Sequence, residues 1–152
     1  MNKIVLACVA ALGLAACGDE AATDYIKIAG GGLTFNYRYS QATMVVVAKQ
    51  MSPLPEGGQV EALFEIPGRT EREHVSRPVI AGKLTYKLES SYLVGIKKGV
   101  PLLVTLRVID AAGKELDRAE TSFTSDIDQD KLPRKPLVDP SKPNYVPQLE
   151  NL

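Results

Sequence analysis

Residues 101–123 read PLLVTLRVIDAAGKELDRAETSF, and the rest of the chain follows their rhythm. Leu102, Val104, Leu106 and Val108 recur every second residue, which places all four on one face of a strand. Residues 110–114 (DAAGK) then supply a hairpin connection, with Gly113 free to take a positive φ. Residues 115–124 return as the partner strand, with Phe123 turned inward or closing one end. Residues 111–120 hold helix-forming side chains, but Gly113 interrupts them, so the hairpin is preferred. A two-stranded ribbon with one apolar face is not stable alone. Its partner surface must come from elsewhere in the 152 residues.

Working outward, the same period of two recurs. Leu33, Phe35, Tyr37 and Tyr39 alternate with Thr34, Asn36 and Arg38. Residues 43–48 (TMVVVA) are apolar on both faces, as a strand inside a sandwich would be. Pro53, Pro55, Gly57 and Gly58 mark a loop. Val60, Ala62, Phe64 and Ile66 alternate with Glu61 and Glu65, which should face outward, and Pro67-Gly68 ends that run. Residues 69–77 (RTEREHVSR) read as a solvated loop or edge, and residues 75–81 as a weak strand. Leu84, Tyr86 and Leu88 alternate, Tyr92, Val94 and Ile96 continue the period, and Lys97-Lys98-Gly99 makes a turn. Gly30-Gly31-Gly32 reads as a flexible turn or bulge ahead of the strand at Leu33. No ten-residue stretch carries a helical stripe, and no repeat of 20–50 residues is visible.

Seven or eight short strands in about 100 residues predict an all-β, antiparallel sandwich. Residues 92–123 resemble the last strands of immunoglobulin-like or fibronectin type III-like modules, which implies an immunoglobulin-like sandwich. Two hallmarks of antibody domains, the disulfide and the buried Trp, are missing, and neither Pro101 nor Leu102 is the tyrosine found at that point in many such modules. An open barrel or lipocalin-like cup is the alternative, though its longer strands are hard to fit.

The N-terminal segment follows other rules. After Lys3, residues 4–16 (IVLACVAALGLAA) are uncharged and end in small residues. They fall short of the roughly 20 residues a spanning helix needs and have the form of an export signal. Leu14-Ala15-Ala16-Cys17 resembles the lipobox of bacterial lipoproteins. That resemblance implies cleavage before Cys17, lipid attached to its thiol and new amino group, and a place on the cell-envelope side of a bacterial membrane. The expected organisation is a signal at 1–16, a lipidated cysteine and tether at 17–23, a sandwich at 24–125 and a proline-rich C-terminal arm at 126–152. Fully extended, residues 18–23 reach about 20 Å at most. Cys8 would leave with the signal and Cys17 would be acylated. Of the two cysteines none would then remain for a disulfide, and an apolar core must hold the domain.

Composition narrows the function classes. With 18 basic and 18 acidic residues, the chain lacks the basic footprint of a nucleic-acid binder. His74 is the single histidine and sits in a charged stretch without a G-x-S-x-G motif, so no triad is predicted. Met44, Met51 and His74 are the candidate soft-metal ligands, but Met44 and Met51 are seven apart and would leave one strand on opposite faces. Asp126, Asp128 and Asp130 open like a calcium loop. Lys131 then stands where a Gly is needed and Leu137 where the bidentate Glu belongs. Gly30-Gly31-Gly32 lacks the Lys-Ser/Thr pair of a phosphate cradle. No cofactor and no catalytic set are expected.

The arm, residues 126–152, holds five of the ten prolines and should be extended. It is either a solvated tail or, through Leu132, Leu137, Val138, Tyr145, Val146 and Leu149, a docking segment for the sandwich or a partner. Leu137, Val138, Tyr145 and Val146 are the candidate partner contacts. The expected function is a lipid-anchored, non-enzymatic binding or assembly module with an envelope protein as partner. The alternatives are a small-ligand or metal-binding periplasmic lipoprotein and an enzyme whose site has no recognisable motif.

Overall fold

The computed structural model describes residues 23–133 and 135–138. The lipobox, most of the tether, and Tyr145, Val146 and Leu149 of the arm therefore lie outside the described residues. Seven strands run in chain order: β1 (Ile26–Asn36), β2 (Gln41–Gln50), β3 (Gln59–Phe64), β4 (Glu73–Pro78), β5 (Thr85–Glu89), β6 (Leu102–Ile109) and β7 (Glu115–Phe123). They form two antiparallel sheets, one in the order β1-β2-β5 and the other in the order β4-β3-β6-β7. The chain is an all-β sandwich.

The alternation legible in the sequence is what glues the sheets. Met44, Val46 and Ala48 of β2 and Tyr86 and Leu88 of β5 face Val60, Ala62 and Phe64 of β3 and Leu102, Val104, Leu106 and Val108 of β6 across one core. Removing that apolar surface from water supplies the main driving force, at roughly 25 cal/mol per Å². Tyr86 is fully buried yet not frustrated, because its hydroxyl accepts a hydrogen bond from the Ile80 N–H at 3.1 Å. The 110–114 connection closes as read. Asp110 Oδ1 accepts the N–H groups of Ala112 and Lys114 at 2.9 and 2.8 Å, and Gly113 takes φ 84°.

Four details depart from the sequence reading. The alternation from Leu33 to Tyr39 stops being a strand at Asn36, and Tyr37 and Tyr39 lie in the 37–40 turn that leads to β2. The triple glycine lies inside β1, which starts at Ile26 rather than near Leu33, with a bulge between Ile28 and Gly30. Glycine is needed there for close approach: a Cβ on Gly31 (φ 153°) would lie 2.3 Å from the Val45 carbonyl oxygen and 2.6 Å from the Phe123 ring. Residues 92–96 form no strand, and the inward face is the opposite of that predicted at its start. Leu93 and Ile96 are buried, whereas Tyr92 and Val94 are 64% and 78% exposed. Glu61 does point to the outer face of its sheet, but it is covered there rather than solvated.

The sandwich has two ends. At one, here called the proximal end, the chain arrives at Tyr25 beside the end of β2, the start of β5 and the 110–114 hairpin. The distal end gathers the 37–40 turn, residues 65–72 and 90–101, and the segment after Phe123. Among the described residues no helix is long and apolar enough to cross a membrane.

Candidate functional site

Two regions carry enough chemistry to be weighed as sites: the outer face of the four-stranded sheet and the distal end. On the outer face, β3, β4, β6 and β7 align charged residues in register. Glu61 accepts from Arg107 Nη2 at 2.7 Å and lies 3.0 Å from His74 Nε2. Arg107 continues to Glu115 at 3.4 Å, and Glu115 to Arg118 Nε at 2.8 Å. Arg118 also reaches Glu120 at 3.4 Å. The fully buried Thr105 hydroxyl donates to Glu120 at 3.0 Å and accepts from Arg72 Nη1 at 3.0 Å, so it is satisfied on both sides. The Arg118 hydrogen bond is the main cause holding the Glu115 carboxyl below its ordinary value, and Glu115 in turn raises Arg118.

Most of the charge on this face is paired within it. Arg107 and Arg118 pair with Glu61, Glu115 and Glu120, while Arg72 is held by the neutral Thr105 hydroxyl. His74 beside Glu61 has the form of a base with its orienting carboxylate. Among the described residues no nucleophile is hydrogen-bonded to that histidine.

The distal end is built differently. The segment 90–101 contains no sheet strand, so its backbone groups need other partners. The β2 carbonyls of Met44 and Ala42 accept the N–H groups of Ser90 and Leu93 at 2.9 and 2.8 Å, and the chain after β7 supplies most of the rest. Gln129 accepts the Ile96 N–H through Oε1 at 3.1 Å and donates Nε2 to the Leu93 carbonyl at 2.7 Å. Its own N–H donates to the Ile96 carbonyl at 2.9 Å. One side chain thus stands in for a neighbouring strand. Asp128 accepts the Lys98 N–H at 2.9 Å, and Ser125 bridges Lys98. A short 3-10 turn (Gln129–Lys131) then brings Leu132 into burial. The Arg38 carbonyl accepts the N–H groups of Leu137 and Val138 at 2.7 and 3.2 Å, and Ser40 donates to the Pro133 carbonyl.

These bonds pin a loop that displays apolar side chains to water. Tyr92 and Val94 protrude, with Tyr37, Val100 and Leu137 exposed at the same end. Val94, Ile96, Leu132 and Pro133 line an open groove of about 310 Å³, at the lower limit for small-molecule sites. A second depression beyond Gly95 and Lys97 includes Val100. Apolar side chains on restrained backbone lose little entropy on binding, the property that marks interface anchors.

The residues singled out in the sequence scatter over these regions. Met44 is buried in the core by β2, whereas Met51 is half-exposed at the proximal end. His74 is on β4, against Glu61. Of the acidic run, Asp128 caps Lys98, Asp130 lies 3.7 Å from Lys97, and Asp126 is exposed. Among the described residues no three His, Cys, Asp or Glu side chains gather as a metal site would require. Leu137 is exposed and Val138 buried, while Cys17, Tyr145 and Val146 lie outside the described residues. Gln129 escaped the sequence reading, because a side chain that replaces a strand leaves no periodic trace.

No protein-family model matches the sequence, and no curated protein matches it. Among solved structures, the chain is similar to wild-type OgpA from Akkermansia muciniphila, with 17% identity and a TM-score of 0.39. The match covers 70% of this chain and 29% of that one, so the chain spans less than a third of that protein's length.

Proposed function

We propose that the protein is a lipid-anchored binding module of the bacterial cell envelope, non-enzymatic, which holds an envelope protein at its distal end. The observation that carries the reading is the exposure of Tyr92 and Val94 on a loop fixed by Gln129. Large apolar side chains kept in water on a restrained loop have a cost that a binding surface explains. The lipobox resemblance at Leu14-Ala15-Ala16-Cys17 supports the anchor and the export signal before it. The charge-balanced outer sheet face supports a scaffold rather than a reaction centre. The strand order supports a fibronectin type III-like variant of the immunoglobulin sandwich, since the fourth strand pairs with the third instead of joining the first sheet.

The test is site-specific photocrosslinking in the native host. A photoreactive residue replaces Tyr92 or Val94 in the full chain, with Lys27 on β1 as the control position. A discrete protein adduct at 92 or 94, missing at 27, is expected. It should weaken in Gln129→Ala, whose sheets stay intact but whose loop loses two side-chain bonds. Equal labelling at all three positions, or none at 92 and 94, would sink the reading.

A further inference from the structure

We infer that the proximal end rests directly on the lipid surface through a row formed by Met51, Leu84 and Ile80, an inference built on the anchor proposed above. The three side chains are 50%, 62% and 52% exposed, and the backbone draws them into one line. Met51 N–H donates to the Tyr25 carbonyl at 2.8 Å, so this methionine sits where the tether joins β1. Gln50 N–H donates to the Leu84 carbonyl at 2.8 Å, and Lys83 N–H donates to the Ile80 carbonyl at 3.1 Å, which closes the next turn onto the row.

The place where the described chain begins identifies the occupant. Residue 23 opens at this end, and residues 18–23 can extend only about 20 Å from the acylated Cys17. A tether that short turns this end toward the bilayer, and a half-exposed apolar row then meets the headgroup boundary. The flanking charges suit an anionic surface. Lys49 and Lys83 are exposed next to the row, and Lys114 is exposed on the hairpin at the same end, against Asp24 and Glu56, while Asp110 is engaged within its own hairpin. Lys83 is held over the Tyr86 ring, 5.0 Å from its centre, which fixes a cation beside Leu84. The distal end has comparable apolar exposure, but it stands a sandwich length away and cannot share this surface.

The experiment places one nitroxide on the mature, acylated protein in vesicles of phosphatidylcholine and phosphatidylglycerol at a seven-to-three ratio. Leu84→Cys carries the label in one sample and Val94→Cys in the other. The acyl mass on Cys17 is verified first. Collision with oxygen relative to a water-soluble nickel relaxant should be about threefold higher at 84 than at 94 if the row enters the headgroup region. Equal, water-like values at both positions on acylated protein overturn this inference and leave the anchor standing. Absence of any acyl mass overturns the anchor and this inference with it. Shielding at 84 that persists in the non-acylated chain (residues 1–16 removed, Cys17→Ser) in lipid-free and detergent-free buffer identifies a second protein surface there and also overturns the lipid contact.

Discussion

The two long sides of this sandwich are closed by different means. On one side β1 lies along β7, the first strand against the last. There Asp117 Oδ2 accepts the N–H groups of both Tyr25 and Ile26, at 2.7 and 2.9 Å, and the Phe123 ring packs over Gly31. On the other side β4 lies near β5, and the side-chain bonds come from Glu73, whose carboxylate accepts the N–H at 2.8 Å and the hydroxyl at 2.7 Å of Ser91, just past the end of β5, both exposed. Packing and partly buried backbone bonds hold the first side, and solvated side-chain bonds the second. The described chain also enters on the first side. A pull from the proposed lipid anchor would arrive at Tyr25, where the Asp117 carboxylate grips the backbone.

The sharpest way to break that contrast is Gly31→Ala. The new Cβ would meet a carbonyl oxygen and an aromatic ring well inside contact distance, in a backbone region side chains rarely adopt. Overpacking and backbone strain together predict a loss of about 3 kcal/mol in denaturant unfolding. Gly82→Ala, in the turn before β5 on the other side, meets no atom and is strained only through its φ of 77°. It should cost about 1 kcal/mol. Equal losses would show that the two sides are not held differently.

Gly31 also marks how far the sequence could be read. The alternation of Val60, Ala62 and Phe64 and of Leu102, Val104, Leu106 and Val108 survived intact, because a buried sheet face demands it residue by residue. The hairpin at 110–114 was equally legible, since Asp110 and Gly113 act locally. The triple glycine looked like a turn because its reason, the approach of Val45 and Phe123, is 14 and 92 positions away in sequence. Residues 92–96 mimicked a strand because Leu93 and Ile96 plug the core from a loop, three apart rather than two. The distal surface could not be seen at all: it depends on a loop fixed by distant partners, Gln129 and Asp128 after β7 and the Ala42 and Met44 carbonyls of β2.

A second comparison removes one carboxylate from each side. Asp117→Ala leaves two backbone donors without their acceptor at the base of the tether and should cost about 2 kcal/mol. Glu73→Ala gives up bonds that water replaces and should cost about 0.5 kcal/mol or less. Urea midpoints measured at one pH decide it. If Glu73→Ala proved the costlier, the exposed side would be the structural one, and the account of where the tether's load is borne would fail.

The smallest effect tests whether surface charge contributes to the difference. Glu89 on β5 is held below its ordinary pKa of 4.5 first by the Lys87 hydrogen bond and then by Thr43. Glu115 on β7 is held below the same value first by Arg118. A carboxyl depressed in the folded state adds stability at neutral pH. That stability begins to fade as the pH drops toward 4.5 and is gone once the pH has fallen through the depressed folded value. Glu89→Gln and Glu115→Gln should each flatten the acid limb of stability below pH 5 slightly and by similar amounts. One molar salt should erase most of the difference from the parent, because both pairs are solvated. Similar, salt-sensitive effects would place the asymmetry in packing and backbone bonds alone. A much larger, salt-resistant effect at Glu115 would mean that the charged face of the four-stranded sheet helps to lock the β1–β7 side.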